Sequence, residues 1–389
     1  MLLRRILLAL TVPCLAACVS LAQPAATPPA KKPAAPALAA PAEPPPFRLG
    51  GPEMYKMTLD VHTVVMGDVN GDGLTDIVVP ENAYARILCL VQRRAGDAAK
   101  ARPPRLAVNE LPDDPRFEKV RYLAGKRIYD LAVGDLNSDG RDDLVFYGDP
   151  PELVIVFQNA DGSFGRKQTF DIRDGAKRPH IMVIADFNGD KKNDLCMLGE
   201  NSTYFIYQQA DNTMGKPISF PGVPSDCFAL TPGDYNGDGR TDLLYATGGK
   251  EEPFSIRLQS AQGRMSPEAP FSIPPIRAMI VGDLDTDGQD ELLAIEQAGG
   301  RLVVYKLVQE PSAPALLRGQ VRRYPLPDVG RGRARSMAVA DLDGDGRLDV
   351  FLTDPASAQI EWFRQDKSGL LLQPEVFPSL QNATALKAV

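Results

Sequence analysis

One nine-residue pattern, written six times along the chain, constrains the fold more than any other feature. Oxygen-bearing side chains stand at its positions 1, 3, 5 and 9, and a glycine stands at position 6 in all copies but one. The first copy supplies Asp68, Asn70, Asp72 and Asp76, with Leu74 at position 7. The second supplies Asp135, Asn137, Asp139 and Asp143 around Arg141; the third supplies Asp186, Asn188, Asp190 and Asp194 around Lys192. The fourth holds Asp234, Asn236, Asp238 and Asp242 around Arg240. The fifth holds Asp283, Asp285, Asp287 and Glu291 around Gln289, and the sixth Asp341, Asp343, Asp345 and Asp349 around Arg347. Successive copies begin 67, 51, 48, 49 and 58 residues apart. A repeat of about 50 residues implies units that bury their faces against one another.

The spacing also dictates chemistry. Clustered carboxylates repel one another unless a cation lies among them, and calcium takes six to eight oxygens in a flexible shell. A tight turn with glycine at position 6 directs alternate side chains inward, and the position-7 residue offers its backbone carbonyl. Up to six calcium ions are therefore expected, the third site being the weakest because Lys191 replaces the glycine. An EF-hand starts similarly but needs a bidentate Glu at position 12 and flanking helices. Neither is present. Each loop instead sits between short apolar runs, such as residues 131–133 and 144–146, or 337–339 and 350–352. That context predicts strand, calcium loop, strand: a β-hairpin.

The second unit extends this into four strands, at residues 131–133, 144–147, 153–158 and 168–172, with an Asn159-to-Gly162 turn between the last two. Four-stranded units at this period predict an all-β fold, a β-propeller of four-stranded blades. The long first interval contains a polar, proline-rich insertion near residues 93–116. With their strand context and turns such as Asp161 to Gly165, the six loops resemble the FG-GAP/VCBS repeats, including those of integrin α chains, over roughly residues 50–389. The resemblance implies calcium on one face of a propeller and secreted or cell-surface roles, often in adhesion, without implying catalysis. Residues 54–59 read as a lone outer strand, and 384–389 align with the strand that precedes each loop. Seven blades are therefore expected in the intended ring, six being the alternative.

Residues 1–22 read as an export signal: Arg4 and Arg5, then a short apolar run. Leu15-Ala16-Ala17-Cys18 resembles a bacterial lipobox, which would lipidate Cys18; Ser20-Leu21-Ala22 offers an ordinary cleavage site instead. Residues 23–46 are mostly Pro, Ala and Thr and predict an extended linker to a domain spanning 47–389. A membrane association is expected only through such an anchor. Cys89, Cys196 and Cys227 sit in apolar strand-like runs and read as buried thiols. The net charge of −7 argues against nucleic-acid binding. Removing the signal would take it to about −9, and six calcium ions would bring it to about +3.

Counting six residues back from each loop gives His62, Tyr129, His180, Phe228, Arg277 and Arg335. At the start of the innermost strands these residues predict a basic, partly aromatic ring around the channel mouth, suited to an acidic glycan through arginine forks. The alternative is that they are ordinary solvated or paired charges. Those two histidines are the chain's whole supply, and no phosphate loop or zinc motif appears, so no enzyme activity is expected. A polysaccharide lyase using His62, His180 or Tyr129 is the enzymatic alternative. A single tryptophan, Trp362, gives no repeated sugar platform and reads as packing. The expected protein is an exported monomeric interaction module with structural calcium, its partner an extracellular protein or acidic glycan.

Overall fold

The computed structural model describes residues 61–94, 96, 114–221, 227–247, 254–271, 273–297, 300–307, 320–324, 335–379 and 386. The signal and linker readings, Cys18, residues 54–59 and most of 93–116 and 384–389 lie outside them.

Blade one is an antiparallel meander of β1 (Val65–Gly67), β2 (Asp76–Glu81), β3 (Arg86–Gln92) and β4 (Phe117–Leu123). Five further four-stranded sheets of the same order follow along the chain, at residues 127–171, 182–221, 227–271, 276–324 and 337–378. They form a ring of six blades, a β-propeller, with each innermost strand beside that of the next blade. The predicted fold class and four-stranded blade stand as expected. The seventh blade would be built from residues outside the described set, apart from Leu386. The Leu386 N–H donates to Ser336 Oγ at 2.9 Å, and its side chain packs near Ala338, Phe351 and Trp362.

Burial follows from this stacking. Second strands such as Asp242–Thr247 and Glu291–Glu296 are buried at every position, because both faces meet neighbouring sheets. They accordingly read as continuous apolar runs. Outer strands such as Phe164–Asp171 are mostly exposed, with inward positions alternating. The core is a series of interfaces between blades: Val78 and Ile87 pack with Leu144 and Phe146, Phe254 and Ile256 with Leu292, and Leu293 and Leu302 with Val350 and Leu352. Cys89, Cys196 and Cys227 are buried within this core and in no disulfide.

Three innermost strands share an irregularity. Register slips between Ile128 and Asp130, between Cys227 and Ala229, and between Ile276 and Ala278. The residue passed over is Tyr129, Phe228 or Arg277, so half of the predicted ring sits on bulges that re-aim the chain.

Candidate metal centres

Each loop builds itself from oxygen acceptors spaced two residues apart. In the first, Asp68 Oδ1 accepts the N–H groups of Gly71 at 2.6 Å and Asp72 at 3.1 Å, while Oδ2 accepts that of Gly73 at 2.7 Å. Asn70 Oδ1 accepts Asp72 N–H at 3.0 Å, and Asp72 Oδ1 accepts Leu74 N–H at 2.9 Å. Asp186, Asn188 and Asp190 repeat this in the third loop, as do Asp234, Asn236 and Asp238 in the fourth. Asp, and Asn at position 3, are suited to these places because their short side chains reach the backbone two residues on. Position 6 adopts left-handed φ throughout, +82° at Gly73 and +65° at Lys191. Lys191 N–H still donates to Asp186 Oδ2 at 2.7 Å, so the third loop keeps the geometry of the others despite its missing glycine.

The position-9 carboxylate behaves differently. Asp143 is buried; its Oδ2 accepts Leu136 N–H at 3.0 Å and its Oδ1 accepts Gln158 N–H at 2.9 Å. It thus ties the start of its loop to the end of the third strand. Asp76, Asp194 and Asp242 make the same pair of bonds, and in the sixth blade Trp362 Nε1 donates to Asp349 Oδ2 at 2.9 Å. Trp362 is therefore packed, as its isolation predicted, with a polar duty in addition.

Burial pushes these acids up: Asp76 and Asp143 to about 6, Asp194 and Asp242 to about 7. The two backbone donors oppose this, and repulsion from the carboxylates at positions 1 and 5 adds to it. Burial and like charge both disfavour ionisation here, and a cation among the oxygens reverses that preference. The Asp341, Asp343 and Asp345 oxygens all lie within 4.8 Å of one another. This oxygen-only donor set, hard and partly anionic, fits calcium. In the second, fourth and sixth loops the position-7 arginine turns back onto the position-5 aspartate: Arg141 on Asp139, Arg240 on Asp238, and Arg347 on Asp345 at 2.9 Å. In the fifth loop Lys306 Nζ lies 2.6–3.0 Å from Asp285, Asp287 and Glu291.

The loops are also latched to each other, through residues that the loop spacing did not single out. Gln158 Nε2 donates to Asp68 O of the preceding blade at 3.0 Å, Gln259 Nε2 to Asp186 O at 3.0 Å, and Gln365 Nε2 to Leu284 O. Gln208 Oε1 accepts from Ser138 Oγ at 2.7 Å. Blade five lacks the strand-end glutamine, and Gln289 in its loop reaches Tyr235 O at 2.7 Å instead. At position 8, Asp142 Oδ2 accepts Asp68 N–H at 2.9 Å and Asp290 Oδ2 accepts Asp234 N–H at 2.8 Å. The glutamine that recurs at or just after the third strand in every blade but the fifth was the available signal.

The predicted basic ring is only partly assembled for binding. Tyr129 is half-buried near Tyr147, with the Arg127 guanidinium 5.9 Å from its ring, and His180 is exposed. His62 is exposed and Arg277 half-buried, with Arg277 Nη2 donating to Gln297 O at 3.1 Å. Arg335 is buried and ion-paired to buried Glu361 at 2.9 Å, so its guanidinium holds the core of blade six rather than facing the mouth. The side chain of Phe228 lies outside the described residues.

The FG-GAP-like repeat family matches three overlapping segments, residues 135–197, 186–245 and 234–294. Residues 135–294 of this chain are FG-GAP-like repeats. Cartilage acidic protein 1 of Xenopus tropicalis is 29% identical over 221 residues, covering 51% of this chain and 31% of that protein. The Caenorhabditis elegans integrin alpha pat-2 is 23% identical over 265 residues, covering 56% of this chain and 20% of that one. The chain thus spans less than half the length of these curated relatives. Among solved structures, a lectin from Agrocybe aegerita that recognises non-reducing terminal N-acetylglucosamine superposes with a TM-score of 0.57 at 15% identity, covering 84% of this chain and 82% of its own. At that identity the likeness is one of fold.

Proposed function

We propose that this chain is an exported recognition module, a propeller whose loops are closed by structural calcium and whose partner is an extracellular protein or an acidic glycan. The observation that carries the reading is the buried position-9 carboxylate, repeated in blade after blade beside further acidic groups. Bound calcium would neutralise those charges, held by side-chain oxygens at positions 1, 3, 5 and 9. The chain's own residues do the rest: Asx turns shape each loop, and the position-9 carboxylate and the glutamine latches carry its order into the strands and across to the next blade. The relatives, an integrin α chain and a cartilage acidic protein, support a role outside the cell, as does the N-terminal signal reading. Among the described residues no helix is long and apolar enough to cross a membrane.

The recognition surface in this reading is the blade end where Arg127, Tyr129 and Arg277 lie at the starts of innermost strands and Lys177 and His180 just ahead of one. The test is retention of the full chain on immobilised acidic and neutral polysaccharides, with calcium and with chelator, while assaying for cleavage. Calcium-dependent retention on acidic chains, lost in the Arg127→Glu/Arg277→Glu double variant, is the expected result. Retention unaffected by that double variant would rule this surface out. Cleavage of the polysaccharide would favour a lyase, and no retention would leave a protein partner.

A further inference from the structure

Lys306 ends the third strand of blade five (Leu302–Lys306), where Leu292 pairs with Tyr305, so Lys306 falls opposite Glu291 at position 9 of the fifth loop. The same station holds Val91, Phe157, Tyr207 and Leu258 in blades one to four. Only blades five and six place a cation there, Lys306 and Arg364.

The two cations do different things. Lys306 Nζ lies 2.8 and 3.0 Å from the two oxygens of Asp285, 2.6 Å from Asp287 Oδ2 and 2.7 Å from Glu291 Oε1. Carboxylates from positions 3, 5 and 9 converge on one ammonium whose side chain is 13% exposed. Arg364 instead points to Glu375 at 3.1 Å, reaches Asp343 only at 3.5 Å, and lies over the Trp362 ring. The longer acid at position 9 suits the lysine: Glu291 Oε2 still accepts Leu284 N–H at 2.8 Å while Oε1 meets the ammonium. A calcium ion needs these oxygens at about 2.3–2.6 Å. It would have to occupy the space where Nζ stands, and two cations cannot share it.

We propose that Lys306 is the resident cation of the fifth loop, which therefore takes no calcium, so the propeller holds at most five ions and one blade stays closed without any. The count rests on the calcium reading of the other loops; the lysine's place in the fifth does not. A tethered ammonium cannot be diluted away, so blade five is held by a charge that external calcium does not control.

The test counts calcium bound per full chain after equilibrium dialysis, alongside melting midpoints in chelator. Expected are no more than five ions in the parent, one fewer in Asp345→Ala, the same number in Asp287→Ala, and one more in Lys306→Met. In chelator, Lys306→Met is expected to melt about 5 °C lower, with calcium restoring the loss. A sixth ion in the parent, or a lost ion in Asp287→Ala, overturns the proposal. If no variant binds calcium, the reading of the other loops fails, and the midpoint alone judges the lysine. A fall in Lys306→Met then supports it as the loop's cation, and an unchanged midpoint overturns that as well.

Discussion

Lys191 adopts the same left-handed backbone as the glycines at the equivalent place, φ +65°, and donates the same hydrogen bond. The loop therefore tolerates the side chain at a conformational cost. Lys191→Gly is expected to raise stability by about 1 kcal/mol, an increase of about 2 °C in melting midpoint; a drop would show that the lysine is favoured there. The position-9 acids make a second prediction. Their folded pKa values, about 6 and 7, lie above the ordinary aspartate value of about 4, so in metal-free protein their protonated forms favour folding. That contribution is complete below about pH 4 and is lost as pH rises through 6 to 7. In chelator the midpoint should fall between pH 5 and pH 8, and saturating calcium should narrow the fall by favouring the ionised form. A midpoint that climbs over this range in chelator would contradict the assignment. Individual oxygens and their spacing were legible in sequence. The double duty of position 9 was not, because its second donor comes from a strand fourteen to seventeen residues later.

At the scale of elements, the hairpins are local and the latches are not. Gln259 joins two blades: its N–H meets Asp242 Oδ1 at 2.8 Å and its side-chain amide meets Asp186 O at 3.0 Å. Gly263, in the turn just beyond, approaches the same neighbour so closely that a Cβ would stand 2.0 Å from Asn188 O. The turn of blade four is thus seated on the loop of blade three, and glycine is needed for the approach as well as for its φ of +68°. Gln259→Ala leaves the part-buried Asp186 carbonyl without its donor and is expected to cost about 1 kcal/mol. Calorimetry with calcium titration should show both the lower midpoint and weaker binding at one site. An unchanged calcium affinity would separate the latch from the metal loop.

For the whole molecule, apolar contact between blades makes the ring and the loops add electrostatic closure at one end of each hairpin. Ions that bind only the folded state stabilise it by mass action. Chelation is therefore expected to lower the midpoint of the full chain by several degrees, about 2–4 °C for each kcal/mol of linkage lost. A midpoint indifferent to chelator would mean that the latches and core suffice alone. Net charge works in the same direction for the first ions: at −7 the metal-free chain repels itself, and three divalent ions would bring it close to neutral.

The amino-acid sequence by itself determined the repeat, the strand–loop–strand unit, the four-stranded blade and the oxygen donors, because all of these follow from spacing within about 50 residues. The tertiary structure decided what depends on which blades become neighbours. It buried Arg335 against Glu361, which takes it away from the predicted mouth. It brought Gln158 to the loop of the preceding blade, 90 residues away, and it carried Lys306 into the carboxylates of the fifth loop. The physical reason is the same in each case. A side chain's charge is read from its name, but its partner is chosen by strand register and by the sheet packed beside it.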